Sequence, residues 1–329
     1  MRILAFIRGV EVPSSRYRVL QYREPLARRG HVLDVRDFPE DAAGWRAVAE
    51  AVAPGTVVLL QKRRVAPRHV RALQARGARV VYDVDDAVML RTDGTGSFLR
   101  RWRFRRTIRA CDGVLAGNAF LRDEAAAGGA RRILLLPTVL DISKYAARAP
   151  SAGNDPLVIG WIGGPAALPF LRDRLPVFAA LTRNRGTRIV VRIVSSEGLS
   201  HPEVPTEFRR WSEATEAAEV AAFDIGVSPL PDTPWARGKC ATKLLQCMAA
   251  GVPVVADAVG AHNEIVRNGE NGLLARTDAE WLDRLEGLRS DPALRARLGA
   301  AGRRTVETGY ALEGAADKMA AFLAEVSGF

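Results

Sequence analysis

Short apolar runs rich in β-branched residues recur along this chain, and most are followed by ten or so residues with apolar positions at helical spacing. Val57 to Leu60, Gly113 to Ala116 and Val252 to Ala256 are clear examples. Runs without polar alternation fit strands covered on both faces, and strands alternating with helices indicate βαβ units in a parallel sheet. In the first half the pattern predicts strands at MRILAFI, His31 to Val35, Val57 to Leu60, Arg79 to Asp83, Gly113 to Ala116 and Ile133 to Leu136. Helices are expected at Arg16 to Arg29, Ala42 to Ala53, Pro67 to Arg76, Phe98 to Ala110 and Asn118 to Ala127. Pro137 to Pro156 has no periodicity and reads as a linker. The pattern restarts at Leu157 to Trp161 and continues through Arg188 to Val194. The fold class expected is α/β, with two Rossmann-like domains facing each other across a cleft. Their bounds are 1–145 and 146–310, followed by a tail at 311–329. A chain of 329 residues is long enough for two such cores.

The most informative stretch is RGKCATKLLQCMAAGVPVVADAVGAHNEIVRNGENGLL, residues 237–274. Ala241 to Ala250 reads as a helix stopped by Gly251, and Val252 to Ala256 as a buried strand. The loop Asp257 to Asn263 then opens at the strand's carboxyl end, where open α/β sheets bind ligands. Gly238, Lys239, Thr242 and Lys243 stand at the start of the helix. Two readings are open there: a phosphate site made of helix N–H groups and ammonium charge, or two lysines on a solvated helix end.

This stretch resembles the donor-binding segment of GT-B glycosyltransferases, in particular family 4, where a run such as LLEAMAxGxPVVAxxxGGxxEIVxxGxNGLL goes with an acidic pair. The similarity extends through FDIGVSPLP (Phe223 to Pro231) and GYALEGAADKMAAFL near the end, and it implies that the tail 311–329 returns toward the first domain. There are departures. The family's Glu-x7-Glu pair falls on Gly238 and Gln246, and GWIGGPAAL (Gly160 to Leu168) lacks the Arg and Lys that many members aim at the donor diphosphate. Lys239 and Lys243 would then supply that charge from the other side of the pocket.

Charge is divided unevenly. Residues 1–145 hold 27 Lys+Arg against 15 Asp+Glu, a net of +12, and residues 146–329 hold 21 against 22, a net of −1. The amino half therefore carries the field that would steer an anionic partner. Three cysteines without CxxC spacing, Cys111, Cys240 and Cys247, indicate neither a disulfide framework nor a zinc site. No apolar run reaches membrane-span length, and Ile3 to Ile7 is too short, with Arg8 too close, for a signal peptide. A cytoplasmic protein, in peripheral contact with membrane at most, is the expectation.

In the amino half, YDVDDAV puts Asp83, Asp85 and Asp86 at the end of the fourth strand, as candidate catalytic carboxylates, metal ligands, or caps and salt-bridge partners. Arg16 and Arg18 follow the first strand as candidate acceptor-side residues, against a surface role. In RRWRFRRTIR, helical spacing puts Arg101, Arg105 and Arg109 on one side with Trp102 and Phe104 interleaved. That pattern suits an anionic membrane or lipid-linked phosphate, or a solvated helix edge with inward aromatics. In the second half, Gly163 and Gly164 let backbone approach a donor. The resemblance implies that the region of Ser195 and Trp211, the latter ahead of a helix from Glu213 to Ala222, holds base and ribose. Gln246 stands where the family's ribose-binding Glu would be, Glu264 matches the family's loop Glu or caps a helix at Asn263, and His262, in the same loop, is a candidate to reach the transferred sugar.

The resemblance implies a hexosyltransferase-like enzyme moving sugar from a UDP or GDP donor to a sugar, lipid-linked or other acceptor in glycan or glycolipid synthesis. Retention, no metal and no cofactor beyond the nucleotide-sugar co-substrate are expected. A nucleotide-sugar 2-epimerase and a catalytically reduced nucleotide-sugar or polyanion binding protein are the alternatives. Nucleic-acid binding is disfavoured, because no recognition module stands out.

Overall fold

The computed structural model describes residues 1–91, 93, 95–147, 155–184 and 186–328. The chain divides into two units. One comprises Met1–Val139, Thr233–Cys240 and Leu312–Phe329, and the other Leu140–Asp232 and Ala241–Ala311.

The first unit holds a six-stranded sheet of β1 (Arg2–Ile7), β2 (Val32–Asp37), β3 (Val57–Gln61), β4 (Arg79–Val84), β5 (Gly113–Ala116) and β6 (Ile133–Leu135), in the order β2-β1-β3-β4-β5-β6. Every pairing is parallel. All residues of β3 and β5 are buried, which is why they read as unbroken apolar runs. The order reverses at β1, whose neighbours are β2 and β3, and this switch is where an open sheet leaves room for a ligand. The helix Leu312–Ser327 belongs to this unit and lays Phe322 and Val326 against Gly113.

The expected helix Arg16 to Arg29 is instead three pieces: Pro13–Arg18, a 3₁₀ turn Leu20–Tyr22 and Arg23–Arg28. Val19, at φ −133° and ψ −60°, breaks it. Pro13 opens the first piece and Pro25 sits in the first turn of the last, positions that have no intrahelical N–H bond to lose.

The second unit repeats the plan with β7 (Leu157–Ile162), β8 (Ile189–Ser195), β9 (Thr206–Arg210), β10 (Ile225–Ser228), β11 (Val254–Asp257) and β12 (Leu273–Ala275), in the order β12-β11-β10-β7-β8-β9, all parallel. Its core gathers Trp161, Phe178, Ile193 and Trp281. The order reverses at β7, between β8 and β10. Edge strand β9 was not expected, because TEFRR is exposed or half-buried and pairs through backbone on one side only. The helix expected at Glu213 to Ala222 spans Glu216–Ala221, and that expected from Ala241 spans Thr242–Ala249. Residues 148–154, inside the expected linker, lie outside the described residues.

Gly160 lies on β7 beneath Phe223, and a methyl group there would overlap the ring. Gly160→Ala is expected to cost about 1–3 kcal/mol through overpacking. A urea midpoint unchanged from the wild-type value would contradict that packing.

Candidate active site

The candidate residues fall into one group per unit. In the second, β7 ends at Ile162 and Gly163 donates its N–H to the Val194 carbonyl at 3.0 Å. A side chain on Gly163 would come within 2.6 Å of Lys243 Nζ and 2.7 Å of Trp161. Only glycine therefore lets the post-β7 loop and the Lys243 ammonium share this corner. Lys243 Nζ also lies 4.7 Å from the centroid of the Trp161 ring, an attraction between cation and ring face. Lys243 is the second residue of the helix Thr242–Ala249, and Ala241 before it is left-handed at φ +52°. A non-glycine residue in that region is strained by about 1–3 kcal/mol, and such strain clusters at ligand sites. Gly164 and Thr242 flank the corner in sequence, Gly164 exposed and Thr242 half-buried.

His262 is buried beside the same corner. Its Nδ1 lies 2.8 Å from the Asp257 carbonyl, which can only accept, so Nδ1 carries the proton and Nε2 accepts from the Ser228 hydroxyl at 3.1 Å. Burial lowers its pKa, the Asp257 carbonyl bond opposes this, and the Lys243 charge adds to the lowering. The ring is thus neutral. Because the unfolded imidazole takes up its proton first, near pH 6.5, the stability from burying His262 is fully present above about pH 6.5 and is lost as pH falls through the lower folded value. His262→Asn is expected to flatten the melting-temperature profile between about pH 7 and pH 5. A wild-type slope in the variant would contradict the assignment.

Ser195 ends β8 with a buried hydroxyl that has no hydrogen-bond partner among the described residues. Trp211 and Gln246 are joined through two residues that sequence reasoning missed. Gln246 Nε2 donates to the Tyr145 hydroxyl at 3.4 Å, Tyr145 donates to Glu216 Oε1 at 3.3 Å, and Trp211 Nε1 donates to Glu216 Oε2 at 2.9 Å. Glu216 is buried, so a carboxylate two contacts away accompanies the amide that replaces the expected glutamate. Glu264 is exposed on the helix Ala261–Ile265, which starts earlier than the cap at Asn263 would require.

In the first unit, Asp83 and Arg18 are both buried and face each other: Arg18 Nη2 and Nε donate to Asp83 at 2.5 and 3.1 Å, and Nη1 donates to the Leu136 carbonyl at 2.6 Å. Both were expected at an accessible site, but the turn of Pro13–Arg18 directs Arg18 inward to the end of β4. Arg16 is half-buried, with its guanidinium bonded to the Tyr17 hydroxyl at 2.7 Å. Asp85 and Asp86 follow β4. Lys62 Nζ is 3.6 Å from Asp85 and 3.1 Å from Asp86, and Lys239 Nζ is 2.9 Å from Asp86. Burial pushes the Asp86 carboxyl up, but Lys62 and Lys239 outweigh it and hold its pKa below the usual range.

Lys239 thus belongs with the aspartates, and its neighbours are stitched to the same loop. Cys240 Sγ donates to the Asp85 carbonyl at 3.3 Å, and Asn118 donates to the carbonyls of Arg237 and Lys239 at 3.0 and 2.9 Å. A Cβ on Gly238 would meet the Ala87 nitrogen at 2.8 Å. This close approach leaves no room for a glutamate side chain at 238.

The basic helix Phe98–Ala110 is rotated from expectation. Arg101 pairs with Glu124 at 3.6 Å and Arg109 donates to the Gly128 carbonyl at 2.8 Å, so these arginines face the neighbouring helix. Phe104 is buried. Phe98 (87 % exposed), Leu99 (51 %) and Trp102 (44 %) are outside, with Arg106 over the Trp102 ring at 4.5 Å. Among the described residues, no helix is long and apolar enough to cross a membrane.

Residues 174–321 match the model of a family described as glycosyl transferase-like. D-inositol 3-phosphate glycosyltransferase from Rhodococcus erythropolis is 30 % identical over 200 residues, 54 % of this chain and 45 % of that protein. The Nocardioides enzyme of the same name is 31 % identical over 140 residues, 37 % and 31 % of the two chains. The chain thus spans less than half the length of these curated relatives. Among solved structures, sucrose-phosphate synthase from Thermosynechococcus elongatus superposes with a TM-score of 0.75 at 14 % identity, covering 99 % of each chain. Anabaena Alr3699/HepE in complex with UDP gives 0.74 at 15 % identity, covering 99 % of this chain and 100 % of that one. The fold is GT-B: two Rossmann-like α/β units, each with a six-stranded parallel sheet.

Proposed function

We propose that this chain is a retaining, metal-independent glycosyltransferase resembling family 4, which moves a sugar from a nucleoside diphosphate sugar to an acceptor. The observation that carries the reading is the corner where Gly163, Trp161 and Lys243 meet at the carboxyl end of β7, against the start of the helix Thr242–Ala249. As the bond from the sugar to the diphosphate breaks, negative charge grows on the leaving oxygen. The Lys243 ammonium and the N–H groups at the start of the helix would stabilise that charge, and their place on a packed element keeps the reorganisation small. Neutral His262 donates no charge and packs beside the sugar. Ser195 and the Gln246–Tyr145–Glu216–Trp211 chain serve the nucleoside, Gln246 as both donor and acceptor to ribose hydroxyls. Asp85 and Asp86, held by Lys62 and Lys239, form the acceptor-side loop with Arg16, and the Arg18–Asp83 pair braces it. UDP is the first donor base to test, because Alr3699/HepE was solved with UDP and with UDP-glucose. Peripheral contact with anionic membrane uses Phe98, Leu99 and Trp102 together with Arg106.

The test is release of nucleoside diphosphate from UDP- and GDP-sugars by the full chain, with and without a panel of sugar and lipid acceptors. Acceptor-dependent release with a retained anomeric configuration is expected. Isomerisation of the donor without acceptor would move the assignment to an epimerase, and tight donor binding without turnover to a binding protein.

A further inference from the structure

A cavity of about 690 Å³ lies in the first unit at the carboxyl ends of β1, β2 and β3. It is therefore at the reversal of strand order, the usual ligand position in an open α/β sheet. Arg8, Arg63, Arg64 and Arg103 line it, and none of their guanidinium groups has an ion pair or hydrogen bond among the described residues. Arg63 only lies over the Phe38 ring, at 5.4 Å. Lys62 lines the same cavity but is committed to Asp85 and Asp86. Arg64 is half-buried and stands out, because its Nη1 is enclosed with no hydrogen-bond partner among the described residues and is left to donate to a ligand. Burial depresses its pKa, and Arg100 and Arg103 add to the effect against Tyr82, so the site already holds more positive charge than it neutralises. Arg64 is also shared with two adjoining cavities of about 420 and 220 Å³. The turn that presents it is strained: Lys62 is left-handed at φ +60°. Asp37 and Glu40 stand exposed on the rim and can accept from hydroxyl groups.

We propose that this cavity binds a phosphate monoester carried by the sugar-like acceptor, with Arg64 as its central ligand and Arg8, Arg63 and Arg103 around it. One carboxylate would be matched by one bidentate arginine. Four uncommitted guanidiniums match the several oxygens and double charge of a monoester, while Asp37 and Glu40 take its hydroxyls. The word acceptor rests on the transferase reading; the anion site does not.

Calorimetric titration of the full chain with glucose 6-phosphate, glucose and UDP, beside sedimentation with phosphatidic acid vesicles, tests it. Saturable binding of glucose 6-phosphate is expected, weakened at least about tenfold in Arg64→Ala and partly restored in Arg64→Lys, with UDP affinity and melting temperature unchanged. Equal affinity for glucose, or undiminished monoester binding in Arg64→Ala, would overturn the proposal. So would vesicle binding without saturable binding of the soluble monoester, since that would assign the arginines to a lipid surface. Arg64-dependent monoester binding without UDP binding would sink the transferase reading and leave this site standing; UDP binding without monoester binding would do the reverse.

Discussion

Lys243→Ala is expected to lower sugar transfer by about 100- to 1,000-fold, the usual cost of removing one preorganised group that meets charge developing in a transition state. The side chain lies over the Trp161 face and against the backbone of Gly163, so its charge sits at the carboxyl end of β7 rather than ranging through solvent. Truncation removes that charge without emptying the core, because Lys243 is only half-buried while Leu244 and Leu245 beside it carry the packing. The loss should therefore appear in kcat and also in a raised donor KM, because the same charge holds the ground-state diphosphate, with the melting temperature little changed. Gly163→Ala is the complementary variant: its methyl group, 2.6 Å from Nζ, would displace the ammonium without removing it. Full activity in Lys243→Ala would mean that the diphosphate is held elsewhere.

The largest effect on stability is expected at Arg18. Its guanidinium is buried with Asp83 and also donates to the Leu136 carbonyl, joining the turn after β1 to the ends of β4 and β6. Arg18→Met would leave a buried carboxylate without its counter-charge, at a cost of about 3–5 kcal/mol. Replacing both partners, in Arg18→Met with Asp83→Leu, removes the stranded charge and should recover most of the loss, which denaturant unfolding of the four proteins measures as a coupling energy. Additive single losses would mean that the pair is not a unit. The same burial bears on chemistry. A carboxylate enclosed by an arginine is a poor general base, so the acceptor-side role proposed here falls on Asp85 and Asp86 instead.

Much of the architecture was legible because parallel strands buried on both faces must be continuously apolar, and Val57–Gln61 and Gly113–Ala116 are such runs. Thr206–Arg210 was not legible, since an edge strand is held by backbone bonds that leave no apolar pattern. Nor was the break at Val19, where propensity favours a continuing helix and the packing of Arg18 and Tyr22 decides otherwise. Around the candidate site, helical spacing placed Lys243 at the start of a helix, and the structure sets its side chain beside Gly163 and Trp161. Spacing could not show that Lys239 is spent on Asp86, or that Gly238 is required by Ala87, since both depend on segments about 150 residues apart in sequence meeting in the first unit. Glu216 and Tyr145 lay in stretches without motif. Arg64 was one of many arginines, and its orphaned guanidinium is visible only once its neighbours are in place.

The proposed transferase activity requires that the corner of Gly163 and Lys243 hold the diphosphate of a nucleotide sugar. Calorimetric titration of UDP, GDP and their glucose conjugates into the full chain, wild type beside Lys243→Ala, tests it most directly. One saturable site is expected, which prefers one base and weakens at least about tenfold in the variant through loss of a charge-assisted contact to phosphate. Absence of binding by every nucleotide, or affinity undiminished in a folded Lys243→Ala protein, would contradict it.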